Sequence, residues 1–137
     1  MLDSKMIAAK LEDAGVQATA QRIVIYQYMV NEGDHPTAEE IKDWADHNFP
    51  KMSLATVYNT LSTLVAAGLL KEYRFPNTSK VIYDSNVEYH HHFLDDENGQ
   101  LIDIDPDVVE VNTHLKKEFK ISHVQILFRG TRRTIRK

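Results

Sequence analysis

Apolar residues recur at helical intervals through the first half of the chain. Met6, Ile7 and Leu11 share one face of residues 4–13, and Gly15 follows as a stop signal. A second helix begins after Thr19, a residue suited to an N-cap, and carries Ile23, Val24, Tyr26 and Met29 to about Val30. The turn-rich Gly33-Asp34-His35-Pro36 separates it from a third helix, where Thr37 caps, Glu40 completes a capping box, and Ile41, Trp44 and Ala45 face one way. Ser53 opens a fourth helix with Leu54, Val57, Leu61, Leu64 and Val65 on one stripe, ended by Gly68.

The pattern then changes to strands. Leu69–Phe75 and Val81–Asp84 are joined by the turn residues Pro76 to Lys80. Helix, turn, helix and hairpin in that order predict a winged helix-turn-helix, whose wing offers Arg74 and Lys80 to a DNA backbone. Beyond it, strands are expected at Tyr89–Leu94 and Gln100–Ile104, with Asp95 to Gly99 as their turn. Pro106 starts a predicted helix with Val108, Val111, Leu115 and Phe119 on one face, and Ile121–Phe128 alternates as a last strand before the basic tail Arg129–Lys137. The fold expected is α+β: a winged-helix domain over 1–83 and a small α/β dimerisation domain over 84–137.

Charge sets that boundary. The 137 residues carry 16 Lys+Arg and 20 Asp+Glu, a net charge of −4, which by itself argues weakly against nucleic acid. The acid is concentrated, however: nine carboxylates and no Lys or Arg lie between Asp84 and Glu110, and eight basic residues against Glu118 alone lie from Lys116 to Lys137. No cysteine is present, which excludes disulfides, thiolate nucleophiles and cysteine zinc sites, so any metal must bind through His and carboxylates. Met1 to Lys10 lacks the apolar core of a signal peptide, and no uncharged apolar run is long enough to span a membrane, so a cytoplasmic protein is expected. A unit of the size of 84–137 makes a marginal core, and a metal or a symmetric partner chain is the expected remedy.

Two patterns carry chemistry. From Ser53 to Leu70 no residue is charged, although Thr56, Tyr58, Asn59, Thr60, Ser62 and Thr63 cannot all lie on the apolar stripe. A neutral face of hydroxyls, an amide and a phenol suits base edges and phosphate oxygens in a major groove; the alternative is a helix buried on most sides. The second pattern is His90-His91-His92 on a strand, where His90 and His92 share a face as a pair of metal ligands, with Asp84 and Asp103 as candidates to complete the set.

Thr19-Ala20-Gln21-Arg22, the run from His35 to Ile41, the string from Ser53 to Leu61, and Tyr83-Asp84 followed by the His triplet together resemble the ferric uptake regulator (Fur) family of metal-dependent bacterial transcription factors. The resemblance covers nearly the whole chain. It implies a homodimer that binds a double-stranded DNA operator, most often as a repressor, through Arg22, Ser53, Thr56, Tyr58, Asn59, Arg74 and Lys80. It also implies a regulatory metal site of His35, Asp84, His90, His92 and Asp103, and a second site at His91, Glu110 and His123, where Tyr89 replaces another His found in many relatives. Cysteine pairs that hold a structural zinc in most relatives are missing, with Asp95 and Asn98 at the first pair's positions. The basic residues that many relatives carry before Thr19 are replaced by Asp13 and Gln17.

Two branches of the family fit the signal. Peroxide-responsive (PerR-type) regulators have Asp where Asp103 stands and lose DNA when bound Fe(II) and peroxide oxidise the His ligands matching His35 and His90. Cysteine-free iron-response (Irr-type) regulators share the His triplet and answer to haem or iron. Three imidazoles and two carboxylates suit Fe(II) or Mn(II) better than tetrahedral zinc, although zinc can enter such a site in vitro, and this favours the peroxide branch. A small His/carboxylate metalloenzyme is the remote alternative; it would have no use for the neutral helix or the wing, and no nucleophile–base pair is evident, so no enzyme activity is expected.

Overall fold

The computed structural model describes residues 1–75 and 79–133. The chain divides into two compact units, Met1–Val87 and Glu88–Lys137.

In the first unit four helices form where local signals place them: α1 (Ser4–Asp13), α2 (Ala20–Asn31), α3 (Ala38–Asn48) and α4 (Leu54–Ala66). Each starts at a side chain that accepts a backbone N–H of the first turn: Asp3 from Met6, Thr19 from Arg22, Thr37 from Glu40 and Ser53 from Thr56. Gly15 and Gly68 follow α1 and α4 with φ of +80° and +79°, left-handed conformations that a side chain would strain. Ile7 and Leu11 of α1, Ile25 and Met29 of α2, Ile41 of α3, and Val57, Leu61 and Leu64 of α4 close one apolar core. β1 (Lys71–Arg74) and β2 (Val81–Asp84) pair antiparallel as the wing, with Lys71 opposite Asp84 and Arg74 opposite Val81. Pro76, Asn77 and Thr78, the centre of the predicted wing turn, lie outside the described residues, as do residues 134–137 of the predicted tail.

The second unit is a three-stranded sheet in the order β4-β3-β5: β3 (His91–Asp95) lies in the middle, antiparallel to β4 (Leu101–Ile104) and parallel to β5 (Leu127–Gly130). Its hairpin turns at Gly99, φ +72°, with Asp95 N–H donating to Gln100 O at 2.9 Å. The sequence predicted more. The helix expected from Pro106 is a single 3-10 turn, Pro106–Val108, and the last strand begins at Leu127 rather than Ile121. This unit therefore has no α-helix among its described residues. The reason is that Val108, Val111, Leu115 and Phe119 are 77, 50, 59 and 59% exposed, so their stripe meets no partner surface, and short helices draw most of their stability from such packing.

Candidate metal centre and nucleic-acid interface

The first donor pair is built by the turn before α3. Gly33 packs closely here, where a Cβ would stand 3.1 Å from the Met29 backbone, tighter than most such contacts. His35 follows with φ +51°, an uncommon conformation for a residue with a side chain, and the chain then runs alongside β2: Tyr83 N–H donates to Pro36 O at 2.9 Å and Thr37 bridges Ile82. That register brings His35 level with Asp84, and their Nε2 and Oδ2 are 3.3 Å apart. Asp84 is buried and its other oxygen accepts the Asn86 N–H at 2.9 Å, while His35 Nδ1 lies 3.0 Å from Asp34 Oδ1. One oxygen of Asp84 and one nitrogen of His35 are thus held by neighbours while the second of each faces the other.

The second donor set is built by β3. His92 on β3 and His90 just before it project to the same side, both buried, with rings 66° apart and Nε2 atoms separated by 3.0 Å. His90 Nδ1 is 2.6 Å from Glu88 O, an acceptor only, so Nδ1 carries the proton and Nε2 presents a lone pair. A backbone carbonyl accepting from the other ring nitrogen is how proteins orient an imidazole toward a metal. Asp103 stands directly opposite His92 across the β3–β4 pair, its Oδ1 3.4 Å from His90 Nε2 and 3.5 Å from His92 Nε2. Two nitrogens and a carboxylate oxygen converging at these distances are donors that could share one cation. The chain therefore presents His and Asp donors able to coordinate a metal and has no cysteine to offer one.

His91 points the other way. Its Nδ1 accepts the Ile126 N–H at 3.3 Å, and its Nε2 lies 3.4 Å from the Tyr89 hydroxyl, which donates to Val124 O at 2.9 Å. Tyr89 packs edge-on against both His91 and His123, while His123 and Glu110 are exposed. Among the described residues His91, Glu110 and His123 are not brought into one donor group. At the hairpin, where the resemblance puts the first cysteine pair, Asp95 is buried with Arg132 Nε at 3.7 Å, and Asp96 takes an Arg129 guanidinium N–H at 2.9 Å. Side chains from the end of the chain thus hold the β3–β4 turn electrostatically.

The residues expected to read DNA all lie in the first unit. Tyr58 and Asn59 are exposed on α4, together with Ala55 and Ser62, so the outer face of this helix is uncharged. Thr60, in contrast, faces the core. Ser53 is the cap, and its Oγ is 3.0 Å from Thr56 Oγ1, so these two hydroxyls also serve the helix start. Arg22 donates to Gln17 O at 3.0 Å and lines a polar cleft with Thr19, Thr56 and Asn59. Arg74 and Lys80 are exposed at the two sides of the wing tip. One contact was not anticipated: the Tyr58 hydroxyl donates to Glu39 Oε1 at 2.5 Å. That bond holds the Glu39 carboxyl below the usual range and pushes the Tyr58 phenol up.

With this geometry in place, comparison with known families matches residues 13–129 to the ferric uptake regulator family. The chain belongs to this family. Within it, the chain is 36% identical over 95 residues to the peroxide-responsive repressor PerR of Staphylococcus aureus, covering 69% of this chain and 64% of that protein, so the match spans less than two thirds of the relative. Among solved structures, PerR of Streptococcus pyogenes, described in connection with peroxide sensing and gene regulation, is 30% identical with a TM-score of 0.54, covering 95% of this chain and 91% of that one. The Vibrio cholerae ferric uptake regulator is 25% identical with a TM-score of 0.70, covering 90% and 98% of the two chains. No helix among the described residues is long and apolar enough to cross a membrane.

Proposed function

We propose that this Fur-family chain is a metal-dependent transcriptional repressor that binds an operator through α4 and the wing, and that it senses peroxide by oxidation of its own metal-binding histidines. The observation that carries the proposal is the His90–His92–Asp103 set, with Nε2 atoms 3.0 Å apart and the His90 tautomer set by Glu88 O. The likeness to peroxide-responsive repressors supports the choice of signal, as does Asp rather than Glu at position 103.

In this proposal the ligand set that the family resemblance implies, His35, Asp84, His90, His92 and Asp103, would hold Fe(II) or Mn(II), five nitrogen and oxygen donors being suited to either. Fe(II), when bound, supplies the electrons that reduce peroxide. The chain's own residues do the rest. Asn86 N–H and Glu88 O aim Asp84 and His90, and DNA affinity would follow metal occupancy by linkage. Oxidation of His35 or His90 removes a donor and releases the DNA. Such a protein acts in the cytoplasm as a regulator and not as an enzyme.

The test is mass spectrometry of Fe(II)-loaded protein after peroxide. Peptides containing His35 or His90 are expected to gain the mass of one oxygen atom, with parallel loss of DNA binding, while Mn(II)-loaded protein stays unmodified. Unmodified peptides from the Fe(II) sample would sink the peroxide reading.

The operator-binding form is proposed to be a homodimer. Val108, Val111, Leu115 and Phe119 are at least half exposed, apolar side chains that a second copy of the chain would cover. Sedimentation at micromolar concentration is expected to give the mass of a dimer, and Leu115→Asp that of a monomer. Wild-type protein sedimenting as a monomer would refute the dimer.

A further inference from the structure

Tyr58 stands 41% exposed on the outer face of α4, yet its hydroxyl is tied to Glu39 in the first turn of α3, 19 residues earlier. At 2.5 Å this is a charge-assisted bond, with the phenol O–H donating to a carboxylate. Both partners are displaced in the direction that keeps it: the carboxyl of Glu39 is held ionised, by this bond first, and the phenol of Tyr58 is held protonated. Glu39 is itself well anchored. Thr37 caps its helix, and Pro36 is bonded to β2 through Tyr83.

A tyrosine hydroxyl has one proton to give, and further bonds must be made through its oxygen lone pairs. With its O–H already donated to Glu39, Tyr58 meets a DNA groove only as an acceptor. In the major groove the acceptor's partners are the exocyclic amines, adenine N6 and cytosine N4. Guanine O6 and N7, thymine O4 and phosphate oxygens are themselves acceptors and cannot be paired.

We infer that Glu39 is a specificity-determining positioning residue: by holding the hydroxyl proton of Tyr58, it makes that side chain an acceptor-only reader that selects a base bearing an exocyclic amine. This rests on α4 being the DNA-reading helix, and the experiment separates the two ideas.

The 137-residue chain with Mn(II) present is used to select duplexes from a random-sequence library, comparing wild type, Glu39→Ala, Glu39→Gln, Tyr58→Phe and Asn59→Ala, with anisotropy to read DNA affinity and circular dichroism to confirm folding. Glu39→Ala frees the proton, and preference for adenine or cytosine over guanine or thymine at one position per half-site is expected to fall roughly three- to tenfold, the worth of one hydrogen bond. Glu39→Gln keeps an acceptor oxygen and is expected to retain the preference, and Glu39→Ala in the Tyr58→Phe background is expected to change it no further. Wild-type preference in Glu39→Ala, or the same shift without the phenol, would overturn the inference while leaving α4 as the reader. Undiminished DNA binding in both Tyr58→Phe and Asn59→Ala would overturn the DNA-reading assignment, and this inference with it.

Discussion

If the chain is the proposed metal-dependent repressor, replacing His92 by Ala is expected to abolish the dependence of operator affinity on Mn(II). His92 is wholly buried, and its Nε2 lies 3.0 Å from that of His90 and 3.5 Å from Asp103 Oδ1, so no neighbouring donor can move in to replace it without repacking the strand. Loss of a partner one shell further out already costs roughly 10–100-fold in metal affinity, and loss of a direct donor is expected to cost at least that. Coupling between metal and DNA is typically about 5–150-fold, and without the ion that factor should fall to one. Calorimetry with Mn(II) and fluorescence anisotropy on selected duplex read the two effects separately. Asp103→Ala, at a 38% exposed side chain, provides a second variant whose fold is not at stake and whose metal affinity should also fall. His123→Ala, exposed and outside the donor set, should leave both readouts unchanged. Mn(II) raising the DNA affinity of His92→Ala as it does that of wild type would refute the metal centre.

The two faces of α4 should respond oppositely to truncation. Leu61 has no exposure and sits in the core with Ile25, Ile41 and Leu64, so Leu61→Ala is expected to cost about 2–5 kcal/mol through lost burial and a cavity. Against a total stability of about 5–15 kcal/mol this is a large share, and the melting temperature of the first unit should fall by roughly 10 °C or more. Asn59 lies two residues earlier on the exposed side, where Asn59→Ala should change stability by less than about 0.5 kcal/mol. Its loss should appear instead as about a tenfold drop in operator affinity, within the range of a lost base contact. Thermal melting and anisotropy on the same two proteins test both halves. Unchanged melting in Leu61→Ala, or unchanged affinity in Asn59→Ala, would contradict the respective role of that face.

Much of this architecture is legible residue by residue. Thr19, Thr37 and Ser53 mark helix starts because their hydroxyls reach an N–H three residues on, and Gly15 and Gly68 mark ends because the chain turns left-handed there. His90 and His92 pair on one face because strand side chains alternate, which needs no knowledge of the rest of the fold. His35 is different. A single His in a turn carries no signal of its own, and only the resemblance to the Fur family brings it into the donor set. The predicted helix after Pro106 shows the opposite failure, a periodic stripe that nothing in the described chain packs against.

Caps, turns and alternation are interactions over a few residues, so neighbouring letters are enough to specify them, and with them the four helices, the wing and the paired histidines. Contacts between elements depend on register and on which surfaces meet. The pairing of His92 with Asp103, the level of His35 beside Asp84, and the reach of Tyr58 to Glu39 across 19 residues were therefore decided by tertiary structure alone.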